Sequence, residues 1–168
     1  MPPTFSKLPD DLIEQMKSNN IWQASCPVAL DRLALVNIRY KDFQSIAHDD
    51  GELVVMDAVA PRVCQIFDAL YEQSFPIERI SSIHHYAGDD DRSMADNNTS
   101  AFNFRAIAGS KTVSIHGYGL AIDVNPIQNP FLTFQETDGI AQIHPPAGWS
   151  FLNRHNRKPG MVEPIVQI

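Results

Sequence analysis

His116 and Asp123 stand seven residues apart in the stretch SIHGYGLAIDVNP, residues 114–126, with Gly117 and Gly119 between them. An imidazole and a carboxylate are a borderline-hard donor pair of the kind that binds Zn²⁺. Two ligands of one metal lie within about 4 Å of each other, whereas an extended chain would hold these two roughly 23 Å apart. The backbone must therefore reverse, and two glycines permit that because they adopt positive φ without a Cβ clash. The same spacing is also met by a loop histidine and a surface aspartate that never meet.

The elements that would have to position the pair read as follows. LPDDLIEQMKSNN predicts a short helix near residues 10–19, capped by Asp10 or Asp11 and stopped at Asn19-Asn20. LALVNIRYKDF alternates as a strand, DDG reads as a turn, and ELVVM as a buried strand hairpinned back. From Asp57, a candidate N-cap, Val59, Val63, Ile66, Phe67 and Leu70 recur at helical spacing over residues 57–73, with Pro61 in the first turn. FPIERISSIHHY predicts a strand. The tract AGDDDRSMADNNTS reads as a solvated acidic loop in which Asp96 and Asn97 make turn hydrogen bonds. Asp89, Asp91 and Ser93 start a calcium-loop spacing, but Met94 replaces the required glycine and Ser100 the final glutamate. In LAIDVNP, alternation sends Leu120, Ile122 and Val124 to the core and Asp123 to a cleft. The fold class expected is α+β, a small antiparallel sheet with helices packed on one face and LAIDVN within the sheet.

Composition narrows the function. The chain has 168 residues, 43% hydrophobic and 20% charged, enough for one domain with a sizeable core. A net charge of −7 argues against nucleic acid or an anionic membrane as partner. No apolar run approaches the ~20 residues of a membrane span, and the first twenty residues show no apolar signal-peptide region. Cys26 and Cys64 lack metal-type spacing and read as two buried thiols, a single disulfide being the alternative.

The pattern SxHxxGxAxD, here Ser114, His116, Gly119, Ala121 and Asp123, resembles the signature of M15-type zinc peptidases. These are D-alanyl-D-alanine carboxypeptidases and dipeptidases, and L-alanyl-D-glutamate endopeptidases. GDDDRSMADNNTSAFNFR, CPV, GELVV and IFDALYEQSFPI extend the likeness over roughly residues 21–168, leaving residues 1–20 as an N-terminal helical extension. The resemblance implies a zinc-dependent peptidase acting on peptidoglycan stem peptides by metal-activated water attack. It implies His116 and Asp123 as metal ligands and Arg105 as the group that contacts the substrate carbonyl or carboxylate. Ser100 and Asn103 would line the same cleft, and Ser114 would support His116.

The family's third ligand is a downstream histidine, and a carboxylate in a short E/D-x-x-H element acts as general base. Neither has a match before Ile168. His144 and His155 lack a carboxylate three residues ahead and read as loop histidines, and His84 and His85 as packing residues, one of them facing the cleft being the alternative. Met161, Val162, Ile165, Val166 and Ile168 read as an amphipathic run cut short, or as a terminal element that docks as it stands. The expectation is weak or absent zinc on these residues alone, with little hydrolysis. The alternatives are a non-catalytic domain that binds cell-wall peptides and a structural relic.

Overall fold

The computed structural model describes residues 1–107, 112–134 and 141–162. Its centre is a three-stranded antiparallel sheet of β1 (Thr4–Lys7), β2 (Leu33–Lys41) and β3 (Ala47–Met56), in that order. Alternation along β2 and β3 divides the core in two. Ala34, Val36, Ile38, Tyr40, Leu53 and Val55 form one face and pack on Ala60, Val63 and Phe67 of helix α2 (Ala60–Glu72). Leu33, Leu35 and Val54 form the other and cluster with Leu12 and Met16 of helix α1 (Asp10–Ser18). Each fully buried Leu or Phe contributes roughly 1.5–3 kcal/mol. Residues 1–20 thus supply both an edge strand and part of the core.

The α+β class holds, and several local expectations are corrected. Pro9 occupies the N-cap of α1, with Asp10 and Asp11 in the first turn, where carboxylates favour the helix dipole. DDG lies inside β3, and the reversal is made at residues 42–46, where the Asp42 carboxylate accepts from the backbone N–H groups of Gln44 and Ile46. Gly51 is needed because a Cβ there would meet the Ile38 carbonyl at 2.7 Å, next to a register shift between Ile38 and Tyr40. Asp57 does not cap α2. It pairs with Arg32 at 2.7 Å, and a 3-10 turn over Asp57–Val59 precedes the helix. Of the apolar stripe, Ile66 is 43% exposed.

FPIERISSIHHY is not one strand. It gives the two-residue β4 (Arg79–Ile80) and then a 3-10 turn over Ile83–Tyr86. The acidic tract is not a solvated loop either. It folds into helix α3 (Asp90–Ala95), capped by the Asp89 carboxylate on the Arg92 N–H, and β5 (Asn98–Thr99), which pairs in parallel with β4. Asn98 is fully buried, accepting from Ser81 N and donating to Ser81 O, a side-chain clamp between β4 and β5. The side chains of Asp96 and Asn97 bond to distant segments and not within their own turn: Asp96 accepts from Tyr86 Oη, and Asn97, at φ +54°, accepts from Ile127 N.

A hairpin of β6 (Phe131–Phe134) and β7 (Ala141–His144) leaves Phe131, Phe134 and Trp149 exposed, and His144 lies 3.3 Å from Thr133 Oγ1. Cys26 and Cys64 are free, half-buried thiols whose pKa values burial raises. Met161 is buried. The rest of the terminal run, residues 163–168, lies outside the described residues. Among the described residues no helix is long and apolar enough to cross a membrane.

Candidate active site

The outer edge of β3 carries the site. Val54 O accepts from Phe102 N and Met56 N donates to Gly119 O, so two loop segments attach where a fourth strand would lie. Residues 100–105, SAFNFR, then act as a backbone template for both halves of the site. Ser100 exchanges two hydrogen bonds with Asp123, at 3.1 and 2.9 Å. Asn103 N donates to His116 O, and Arg105 O accepts from Ser114 N. LAIDVN is therefore not a strand of the main sheet. It touches this template at a single bridge, its alternation fails, and Leu120 is 50% exposed while Ile122 packs against the core.

The reversal between His116 and Asp123 is a 3-10 turn over Ile115–Tyr118, opened by Ser114, whose hydroxyl accepts from His116 N, and closed by Gly119 at φ +66°. Only Gly119 uses glycine's conformational freedom, and a Cβ on it would also meet Met56 N at 2.6 Å. Gly117 serves differently: its Cβ would strike Val113 Cγ1 at 2.7 Å, so it is required for close packing. Gly119→Ala is expected to lower stability by about 2–3 kcal/mol, from left-handed strain plus the clash with β3. Urea denaturation checks this.

The turn brings His116 Nε2 to 3.2 Å from Asp123 Oδ2. The other ring nitrogen, Nδ1, lies 2.7 Å from Ala101 O. A carbonyl only accepts, so Nδ1 carries a proton, and a ring with no second proton turns an Nε2 lone pair toward the carboxylate. Two acceptors at that distance need a positive species between them, either a proton or a cation. A tetrahedral zinc with bonds near 2.0–2.1 Å separates its ligand atoms by roughly 3.3 Å. The pair therefore fits as two ligands of such an ion, and the carbonyl on Nδ1 is the outer partner that metal-binding histidines require. Among the described residues, the only converging trio of His, Cys, Asp or Glu is Glu52, His84 and His85, so His116 and Asp123 stand as a pair.

Arg105 ion-pairs with Asp90 at 2.6 Å, and its buried Nε–H has no hydrogen-bond partner. Both groups act on Asp123. Burial raises the Asp123 pKa most, His116 draws it down, Asp90 raises it further and Arg105 lowers it. Asp90 stands in the first turn of α3, immediately after the Asp89 cap, and no local pattern in the acidic tract sets it apart from its neighbours. Ser100, Asn103 and Ser114 are all buried. Ser100 reaches Asp123 through its backbone, and Asn103 ties Gly88 O to the template through its side chain.

Residues 108–165 match the family model described as D-alanyl-D-alanine carboxypeptidase. No curated protein and no solved structure matches the chain.

Proposed function

We propose, from the premise that this chain is an M15-type peptidase by its residues 108–165, that it is a zinc-dependent peptidase domain for peptidoglycan stem peptides ending in D-alanine. The observation that carries the reading is the His116 Nε2 to Asp123 Oδ2 approach of 3.2 Å, with Nδ1 anchored on Ala101 O. His116 and Asp123 would hold the ion. Bound zinc supplies Lewis-acid polarisation of a carbonyl and acidifies water. The chain's own residues do the rest of what can be derived. Arg105, steadied by Asp90, would present its guanidinium to a carboxylate or a developing oxyanion.

Hydrolysis needs a further ligand and a general base beyond the pair described. The second reading is a domain that binds stem peptides without cutting them. Incubation with a D-alanyl-D-alanine-terminated pentapeptide and zinc separates the two. Release of D-alanine supports the peptidase. Saturable peptide binding without release supports the second reading, and neither result sinks both. Arg105→Ala is expected to reduce turnover about 100-fold, or to weaken peptide binding if there is no turnover. An unchanged response removes Arg105 from the site.

A further inference from the structure

We infer that Glu52, His84 and His85 form a second divalent-metal site, of zinc type, that staples β3 to the 3-10 turn at Ile83–Tyr86. The turn is built to present both imidazoles. In IHHY the flanking Ile83 and Tyr86 are buried in the core, which leaves the two middle side chains on the opposite side. The turn is locked at both ends, by His85 N on Ser82 O and by Ala87 N on His84 O, with Ala87 at φ +52°. The two rings lie 3.9 Å apart, centroid to centroid, and Glu52 Oε2 comes 3.3 Å from His85 Nε2. One donor atom from each of the three residues falls within 4.8 Å of the others.

Two imidazoles and a carboxylate are a recurrent zinc set with a fourth position left open. His85 is 53% exposed along its side chain, so an ion has a direct path in. A further observation points the same way: His84 Nδ1 is buried and has no hydrogen-bond partner. A histidine kept only for packing ordinarily satisfies its buried nitrogen. None of the three residues belongs to the His116–Asp123 pair, so this inference stands apart from the function proposed above.

The test uses the full chain carrying His116→Ala and Asp123→Asn, freed of metal and titrated with Zn²⁺ by calorimetry. One equivalent is expected to bind at micromolar concentration or below and to raise the melting temperature. Adding His85→Ala, or separately Glu52→Gln, should weaken that binding on the order of 100-fold or more, beyond what loss of an outer partner costs. Far-UV circular dichroism checks that each variant folds; Glu52→Gln keeps the side-chain shape should His85→Ala unfold. Cobalt substitution gives a second readout, its visible absorption bands present in the background protein and lost in the Glu52→Gln chain. No binding, binding only at millimolar zinc as any surface imidazole gives, or binding indifferent to both substitutions overturns the site.

Discussion

Asp123→Asn is expected to raise the melting temperature of the metal-free chain at neutral pH while removing zinc binding at the His116–Asp123 pair and any hydrolysis that depends on it. The carboxylate's pKa is raised in the fold, chiefly by burial. As pH rises through the interval between the unfolded and folded values, the unfolded chain releases its proton first. The native state then binds more protons than the unfolded one, and stability falls with rising pH. Above that interval the ionised Asp123 costs stability, and below it the cost is absent. The neutral amide avoids the cost and can donate to the Nε2 lone pair of His116, which lies 3.2 Å from the carboxylate oxygen. The stabilisation should therefore shrink as the pH is lowered through the interval. Zinc affinity at the His116–Asp123 pair should drop by more than about 100-fold, since a ligand and not an outer partner is lost. Melting curves at several pH values in chelator, with parallel zinc titrations, check both halves. An asparagine variant that melts below the parent at neutral pH would show that the pair is held for stability.

Asn125→Ala is expected to carry the largest loss of stability, about 3–5 kcal/mol. Asn125 is fully buried at φ +44°. Its Oδ1 accepts from Glu78 N at 3.0 Å, and its Nδ2 donates to Pro76 O at 2.9 Å and Gly160 O at 3.2 Å. Its own backbone N–H donates to Thr99 Oγ1. The side chain thus ties the entry to β4 to the segment around residue 160, and the backbone of the same residue holds β5, two residues beyond Asp123. Truncation leaves Glu78 N and Pro76 O without the partner Asn125 gave them, each costing about 1–3 kcal/mol, whereas Gly160 O keeps its bond from Asn129. Alanine also tolerates the left-handed backbone less well than asparagine. Asn125→Gly relieves that strain without restoring the hydrogen bonds. Urea denaturation of the two variants therefore separates the terms, and a glycine variant as stable as the parent would mean the hydrogen bonds contribute little.

Residues 153–162 are held to the same region through Asn129 and Arg154. Asn129 donates to Gly160 O and accepts from Val162 N, and Arg154 donates to Gln128 O and Val162 O. Nothing in the sequence pattern of NRHNRKPG marks this. The segment is polar and Pro/Gly-rich, and its order comes from side-chain bonds to a turn that lies earlier in the chain by about the length of a hairpin.

The sequence by itself determined the elements whose burial is periodic. Alternation in β2 and the stripe on α2 report directly which side chains leave water, so both were legible. The His116–Asp123 spacing, the signature around it and the need for a reversal were legible as well, because a family fingerprint and a glycine are local facts. What only the tertiary structure decided depends on partners distant in the chain. The polar tract at 87–100 looked solvated because its residue types favour water, yet Asn98 and Ser93 are buried once Ser81 O and each other's side chains satisfy them. Gly117 looked like a hinge, but its constraint comes from Val113 and Phe104. Asp90 looked like one acidic residue among several until Arg105 was found beside it. IHHY looked like strand, since two apolar residues three apart fit either reading until Ile83 and Tyr86 were seen to point the same way into the core. A hydrophobic pattern records the face a segment buries. Which polar groups meet is set by how the segments are brought together, and that information lies in pairs of residues, not in any one stretch.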